Sequence, residues 1–410
     1  MTKDSEYYRS RIFWLGHVVF MIGLVSSKAL ISFGTGILIL STIPLFIASP
    51  KKLLAPPPQV LGFFMLFILP FISGLWSSNG QAWVDSVLNK ILLPALACAY
   101  WLAPGITRKV FTRLNLFQFG LVLLISIYSI ISFFYTPDIT AGYLRAKTLK
   151  VLLSDDHVHF SLLVVLTLIL MIKEIPRFKQ EFNRTLIFII YGLMFWLFLY
   201  LHILGAKTGL LLSYFGILIW CWKRANNLIK IIALPMIFGL LFTAYQLIPT
   251  FKNRFHYTLY DFNQYVHGSI VNGLTDGARV LSWKAGIDVA IQHPLIGVGF
   301  GDLEDTFMKW HEIHSAHLER YNWLQPSNEW LTYLCGCGIP GAIFLSLGLW
   351  WIFSKSPSKK DLFFVILFIL QVMMMWYEVP LSSQTGITLF VFSICWYQFP
   401  QEKLISEINQ

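Results

Sequence analysis

Long apolar runs recur along the whole chain, and they constrain the fold more than any other feature of the sequence. Each run covers about 15 to 22 residues, close to the length an α-helix needs to cross a membrane. With 56% hydrophobic and 13% charged residues, the chain has too little polar surface to cover a soluble domain of 410 residues. The sequence therefore predicts an all-α polytopic membrane protein. Twelve transmembrane helices are expected, near residues 12–27, 29–48, 60–76, 87–103, 114–135, 158–172, 185–204, 208–222, 228–248, 331–353, 362–376 and 386–398.

The apolar runs divide the chain into three parts. Residues 1–248 hold the first nine predicted helices, residues 249–330 form a large loop, and residues 331–410 hold the last three helices with a short tail. If both termini are cytoplasmic, most of the basic residues behind the net charge of +10 fall in short cytoplasmic loops, as the positive-inside bias requires. The charge therefore indicates topology and not nucleic-acid binding, and the large loop is expected on the outer face.

A minority of the basic residues lies on the predicted outer side, where the positive-inside bias does not explain them. Those of most interest are Arg145, Lys207, Arg254 and Arg279. Lys207 begins a predicted helix, and a cation there opposes the helix dipole unless an anion joins it. It is therefore either a lysine that snorkels to the membrane interface or part of an anion site.

The large outer loop contains an ordered polar segment. Val280, Trp283, Ile287 and Ala290 recur at helical spacing and predict an amphipathic helix. It is expected to end at His293-Pro294, since the residue before a proline disfavours helix. The next segment, GVGFG, lacks the strand that precedes a nucleotide-binding loop. It is interpreted as a turn in which glycine lets two backbones approach closely.

Histidines follow at a spacing of three, as His311, His314 and His317. They are either solvated surface side chains or ligands of a metal, and no fixed metal-binding pattern accompanies them. The five cysteines lie mostly in apolar runs and are interpreted as buried thiols.

The order of these features resembles the O-antigen ligase and O-antigen polymerase family of bacterial envelope proteins. Arg279 and Trp283 followed by HPLIGVGFGD match the family's large-loop motif, and Ser327-Asn328 stands where the family has a His-Asn pair opening a helix. Lys207 in GAKTG takes the place of a family arginine. The segments SKALISFG and HFSLLVVL resemble Bacteroidetes-like versions.

The resemblance implies a GT-C-like glycosyltransferase of the bacterial inner membrane with a periplasmic active site. It implies transfer of a glycan from undecaprenyl diphosphate to a sugar hydroxyl of lipid A-core. An O-antigen or exopolysaccharide polymerase, a non-catalytic carrier of lipid-linked glycan and a degenerate family member are the alternatives. The implied partners are the lipid-linked glycan, lipid A-core or another glycan acceptor, and membrane lipids, with no cofactor and no nucleic acid.

The resemblance also implies a diphosphate site made of basic side chains. Its candidate residues are Arg279, Lys207, Arg254 and Arg145. Arginine binds phosphate in a bidentate way, and fixed cations stabilise charge that grows on a departing diphosphate. No metal is expected, because arginines can do this work and the sequence has no Asp-x-Asp motif.

The start of the helix near residue 331 supplies the remaining catalytic candidates. Ser327 replaces the histidine expected to activate the acceptor, and a serine hydroxyl has no useful basicity at neutral pH. Ser327 is therefore interpreted as a helix N-cap, next to Asn328. Glu329 and His314 are candidate bases. Further candidates are His317 and Asp302.

Overall fold

The computed structural model describes residues 3–48, 56–137, 148–153, 156–224, 226–267, 275–402 and 404–405. Helices dominate this part of the chain, and two short strands, Ile106–Thr107 and Leu404–Ile405, pair in parallel. The helices are α1 (Lys3–Ser26), α2 (Lys28–Leu40), α3 (Ile43–Ala48), α4 (Pro58–Ile72), α5 (Gly80–Lys90), α6 (Leu92–Trp101), α7 (Arg108–Tyr135), α8 (His157–Glu181), α9 (Arg184–Leu204), α10 (Lys207–Arg224), α11 (Asn227–Leu247), α12 (Pro249–Val266), α13 (Thr275–Gln292), α14 (Leu303–His314), α15 (Glu329–Ser354), α16 (Leu362–Met374) and α17 (Gln384–Glu402).

The all-α membrane class is confirmed, and every segment predicted as a membrane helix overlaps a helix of the structure. Within the described ranges, seven stretches are long and apolar enough to cross a membrane: Lys28–Leu45, Pro58–Leu75, Gly80–Trp101, Arg108–Tyr135, His157–Glu181, Arg184–Leu204 and Glu329–Ser354. Two further apolar helical stretches, Pro235–Leu247 and Leu362–Met374, are shorter than this. The number of twelve spans and the GT-C-like architecture stay predictions.

Helix α15 packs along α4 and beside α13. Gly62 of α4 and Gly348 of α15 face each other so closely that a Cβ at either position would meet the other's carbonyl oxygen. Small residues let membrane helices approach in this way, and the gain in van der Waals contact holds them together. This contact fixes the helix whose N-terminal end carries Ser327, Asn328 and Glu329.

In the segment predicted as a large loop, the described residues 249–267 and 275–330 contain three α-helices, α12, α13 and α14, and one 3-10 helix, Arg320–Asn322. The predicted amphipathic helix is present as α13, and it ends at Gln292, just before His293-Pro294. The predicted apolar face is correct at Ala290, which is buried, and wrong at Ile287, which is 49% exposed. The buried side instead presents small and aliphatic residues, since α13 packs closely on α15: Ala278, Leu281, Ser282, Ala285 and Val289.

The glycine-rich turn after α13 makes the predicted close backbone approach. Gly297 and Gly299 adopt positive φ angles of 70° and 92°, which favour glycine. The N–H groups of Val298 and Gly299 donate to the carbonyls of Cys335 and Gly336 at 2.8 and 2.9 Å. Helix α15 departs from helical geometry directly after this contact, at Cys337 and Gly338. The turn therefore locks the end of α13 against a kink in α15.

Candidate functional site

Asp261 of α12 fixes the start of α13. Its carboxylate accepts hydrogen bonds from the N–H groups of Asp276 and Gly277 at 2.7 and 2.9 Å, which satisfies two backbone donors of the first helical turn. Burial raises the pKa of Asp261, while these backbone hydrogen bonds act in the opposite direction. With the helix held in this way, Asp276 and Arg279 lie one turn apart on the same side of α13.

Two of the predicted cations meet beside this helix start. The Nζ atom of Lys207, the first residue of α10, lies 2.5 Å from Oδ2 of Asp276, and its side chain is 41% exposed. Arg254 of α12 donates to the carbonyl oxygen of Gly205. Gly205 ends α9 in a left-handed conformation, with φ 70°, two residues before Lys207. The turn between α9 and α10 therefore brings both cations to one place.

These two cations stand at the edge of a largely apolar cavity of about 290 Å³. Helices α10, α11 and α12 supply most of its wall: Leu210, Leu211, Tyr214, Phe215, Leu218, Leu241, Phe251, Phe255 and Thr258. A cavity with an apolar wall and a cationic edge suits an amphipathic ligand that carries an anionic head group.

Arg279 has a different partner. Its guanidinium donates to Oε1 of Glu378, in the loop of residues 375–383 between α16 and α17, and the two side chains are 31% and 18% exposed. Burial raises the pKa of Glu378, and the charge of Arg279 opposes that rise. Lys207–Asp276 and Arg279–Glu378 thus form two ion pairs one helical turn apart on α13.

Sequence reasoning missed Glu378. It lies in a short polar stretch, WYEVPLSS, and 99 residues separate it from Arg279 in the chain. One signal was available: the topology predicted for the chain places Glu378 on the same outer side as Arg279, as a carboxylate in a short loop. That placement alone does not predict which cation it meets.

The start of α15 differs from its prediction by one residue. The N-cap is Asn328, whose side-chain oxygen accepts from the N–H of Leu331 at 3.0 Å, so the interpretation of Ser327 as the cap is wrong. Asparagine is as good a cap as serine, and here its amide also donates to the carbonyl of Trp376 at 2.9 Å. The cap therefore joins α15 to the 375–383 loop as well.

Ser327 contributes its backbone to the site. Its carbonyl accepts from the indole N–H of Trp283 at 3.0 Å, and its N–H donates to Oγ of Ser282 at 3.1 Å. That hydroxyl donates in turn to the carbonyl of Arg279 at 2.7 Å. Ser327 is therefore tied to the turn of α13 that carries Arg279, and its own side chain makes no hydrogen bond among the described residues.

Glu329 is fully buried and belongs to a second, deeper contact of the same loop. Its Oε2 accepts from the N–H of Leu381 at 3.1 Å, while the carbonyl of Leu381 accepts from Nζ of Lys90 at 2.7 Å. Lys90 is 2% exposed and lies over the rings of Phe300 and Tyr333. This burial separates Glu329 from solvent.

The other predicted bases are engaged elsewhere. His314 stacks on Trp310 with ring centroids 4.4 Å apart, and its Nδ1 lies 2.9 Å from the carbonyl of Trp310. Asp302 accepts from the N–H groups of Ser78 and Asn79 at 2.7 and 2.8 Å. Asp302 therefore anchors the segment before α5, away from the two ion pairs of α13.

The three histidines at and just after the end of α14, His311, His314 and His317, do not share one environment. His311 is fully buried between Ser315 and the carbonyl of Leu324, and burial lowers its pKa. His314 and His317 are exposed. Among the described residues, no group of three or more His, Cys, Asp and Glu side chains could hold a metal ion. Arg145 lies outside the described residues.

A second acid and base pair faces the Arg279–Glu378 pair from α8. Asp156 caps that helix by accepting from the N–H of His159, and its other oxygen lies 2.7 Å from Nδ1 of the same histidine. The charges of both residues act on Glu378. The carboxylate of Glu378 is therefore surrounded by groups from α8 and α13.

Comparison with known proteins finds a family match for one part of the chain. Residues 192–346 match the family model described as O-antigen ligase. The matched region runs from within α9 to within α15 and includes Lys207, Arg254, Arg279 and Ser327. Among curated proteins, none matches the chain.

Proposed function

We propose that this membrane protein, a member of the O-antigen ligase family through residues 192–346, transfers a glycan from a lipid diphosphate to a sugar hydroxyl. The donor is glycan-linked undecaprenyl diphosphate, and the acceptor is lipid A-core. The reaction takes place on the periplasmic side of the bacterial inner membrane, with both termini in the cytoplasm. This orientation rests on the positive-inside bias of the loops.

The observation that carries the proposal is the apolar cavity with Lys207 and Arg254 at its edge. A polyprenyl chain is an apolar ligand, and a diphosphate is an anion that charge-assisted hydrogen bonds recognise. In the proposed complex, the first isoprene units lie against Leu210 and Phe251 of the cavity wall, and the diphosphate meets the two cations.

Arg279 extends this cationic edge. Lys207 pairs with Asp276, and Arg279 follows Asp276 by one turn of α13, so the three cations line one side of the helix start. Each has an anionic or carbonyl partner in the absence of donor. An incoming diphosphate must therefore exchange for these partners, and it offers more negative charge than either carboxylate does.

The chemistry follows from where charge develops. The acceptor oxygen forms a bond to C1 of the donor sugar, and the bond from C1 to the diphosphate oxygen breaks with its electron pair leaving on the diphosphate. Fixed cations stabilise this growing negative charge more in the transition state than in the ground state, and therefore accelerate the step. The guanidinium of Arg279 can hold two phosphate oxygens at once, whereas Lys207 offers a point charge.

The experiment that tests this function is deletion of the coding sequence in the source bacterium, followed by gel analysis of extracted lipopolysaccharide. We expect loss of the glycan ladder together with accumulation of the lipid-linked glycan. A single-repeat band would instead indicate a polymerase. An unchanged gel, with a purified protein that does not turn over the lipid-linked donor, would overturn the proposal.

A further inference from the structure

Glycan transfer to a hydroxyl leaves a proton to be removed, and three of the side chains named as candidate bases are held in other contacts. Glu329 is fully buried, His314 stacks on Trp310, and Asp302 holds the backbone before α5. Two carboxylates contact cations beside the start of α13 and retain solvent exposure, Asp276 at 26% and Glu378 at 18%. Asp276 is paired with Lys207, which offers a point charge, whereas Glu378 is paired with Arg279, whose guanidinium can hold two phosphate oxygens.

The position of Glu378 is set by the 375–383 loop, which is anchored on both sides of it. Before Glu378, the carbonyls of Met375 and Trp376 accept from the N–H of Glu329 and the amide of Asn328, both at 2.9 Å. After it, Leu381 is held by Glu329 and Lys90. A carboxylate held between these anchors can move its side chain while its backbone stays in place.

Glu378 and a donor diphosphate would compete for the same cation. In the structure the carboxylate neutralises Arg279, which is the contact that the phosphate oxygens of a bound donor would take. Loss of that ion pair leaves Glu378 as an anion without its main counter-charge, directly beside the leaving group. A carboxylate in this state is a better proton acceptor than one paired with arginine, because the arginine favours its ionised form.

We propose that Glu378 is the general base of the transfer and that binding of the lipid diphosphate to Arg279 releases it for this role. This inference rests on the function proposed above and names the residue that activates the acceptor. The acceptor hydroxyl gives its proton to a carboxylate oxygen of Glu378 as its oxygen bonds to C1, the bond from C1 to the diphosphate breaks, and the proton then passes to solvent. Donor binding is thereby coupled to acceptor activation, because Glu378 stays paired with Arg279 until the diphosphate binds.

The groups around Glu378 are consistent with this role. Arg279 faces it from α13, Asp156 and His159 face it from the start of α8, and Tyr377 precedes it in the loop. Burial raises the pKa of Glu378 above its ordinary value of about 4.3. When ionised, a carboxylate with a raised pKa is a stronger base than one with an ordinary pKa, which favours general-base catalysis.

The test is Glu378→Gln in the full-length protein, purified in lipid nanodiscs and supplied with undecaprenyl-diphosphate-linked glycan and lipid A-core. Glutamine keeps the size and a hydrogen-bond acceptor for Arg279 but cannot take up a proton. We expect kcat to fall by about 100-fold or more. Binding of the donor, measured without acceptor, should stay equal or tighten, because a competing charge on Arg279 is gone. Glu304→Gln, an exposed carboxylate of α14, is the matched control and should leave both quantities unchanged.

A merely structural partner of Arg279 would give a different pattern. In that case Glu378→Gln would keep kcat within about 3-fold, or would lose donor binding and thermal stability together with turnover, and either result overturns the proposal. If the glutamine variant does not fold, Glu378→Asp serves instead, since it keeps the carboxylate but withdraws it by one methylene. We then expect an intermediate kcat with donor binding kept, and a kcat equal to wild type would overturn the assignment.

The pH profile gives an independent readout. A base is active when deprotonated, so kcat/KM of the wild type should fall on the acid side as Glu378 takes up a proton. That acid limb should disappear in Glu378→Gln, and its persistence there would overturn the proposal. If the wild-type protein turns over no donor at all, the proposed function itself fails, which is a distinguishable outcome.

Discussion

Two pairs of opposite charge meet the 375–383 loop, and they differ in what surrounds them. Arg279–Glu378 is a direct ion pair at the rim, with both side chains partly exposed. Lys90 and Glu329 are buried, and the backbone of Leu381 bridges them by accepting from the lysine and donating to the glutamate. The outer pair can exchange partners with a ligand, whereas the inner pair is closed off from one.

Burial sets the roles of the two pairs. A charge in a low-dielectric interior is costly without its counter-charge, so the inner pair must stay intact for the loop to keep its place. A partly exposed pair gains little from its own attraction and loses little when a diphosphate replaces one partner. The inner pair therefore positions the loop, and the outer pair is available for function.

The largest effect is expected from breaking the inner pair. Glu329→Ala leaves the buried ammonium of Lys90 without its counter-charge and the N–H of Leu381 without an acceptor. We expect destabilisation of about 3 to 5 kcal/mol, measured as a lower unfolding temperature and a smaller folded fraction in detergent. Glu304→Ala, an exposed carboxylate, should be near neutral. Equal stability of the two variants would remove the structural role assigned to the inner pair.

Breaking the outer pair should act on activity and spare folding. Arg279→Ala removes a cation from the leaving group, and we expect transfer to fall by about 100-fold or more with membrane insertion intact. The readout is the lipopolysaccharide ladder of a deletion strain that expresses the variant at wild-type level. Lys284→Ala on the same helix, an exposed lysine, should restore the ladder fully. A normal ladder with Arg279→Ala would mean that the diphosphate site is misplaced.

A smaller effect is expected at Lys207, because its side chain is more exposed and its ammonium is a point charge. Lys207→Ala should weaken donor binding by about 5- to 10-fold, and Lys207→Arg should keep or improve it. Lys252→Ala, an exposed lysine of α12, is the control. Binding of a lipid-linked diphosphate to the protein in nanodiscs measures the difference. If Lys207→Ala binds as tightly as the control, this lysine only snorkels to the interface.

The smallest effect is expected at Ser327, whose contacts are made by its backbone. Ser327→Ala should leave the transfer rate within about 2-fold. Asn328→Ala, its neighbour, should cost about 1 kcal/mol of stability because it removes the helix cap and the link to Trp376. If Ser327→Ala lowered the transfer rate by more than Asn328→Ala does, the hydroxyl of Ser327 would have a direct role in the reaction.

The positions of the helices could be predicted because hydropathy is summed over a whole apolar run, and a few polar residues in the run change that sum little. The run near 87–103 divides into α5 and α6 only by a slight break at Ile91, which keeps helical φ and ψ angles. Pro94 follows and has no N–H to bond the carbonyl of Lys90. The buried face of α13 was predicted from large apolar side chains. It was wrong at Ile287, which is exposed, because close packing on α15 selects small residues such as Ala285.

The candidate site could be predicted only in part. Lys207, Arg254 and Arg279 were singled out by charge on the expected outer side. The structure places Lys207 and Arg279 in ion pairs at the start of α13, and it places Arg254 against the carbonyl of Gly205, two residues before Lys207. The partners of these cations could not be predicted, because Glu378 reaches Arg279 only through the tertiary path of the 375–383 loop. The role of Glu329 was also unreadable, since its sequence context resembles an exposed helix start and the structure buries it.

We propose that the cationic side of α13 holds a lipid diphosphate that leaves during glycan transfer. The most direct measurement is release of undecaprenyl diphosphate by the purified protein in nanodiscs, with lipid-linked glycan and lipid A-core supplied separately and together. We expect undecaprenyl diphosphate to be released only when both substrates are present. This release should be lost in Arg279→Ala and retained in Lys284→Ala. Absence of release from the wild type, or equal release from both variants, would contradict it.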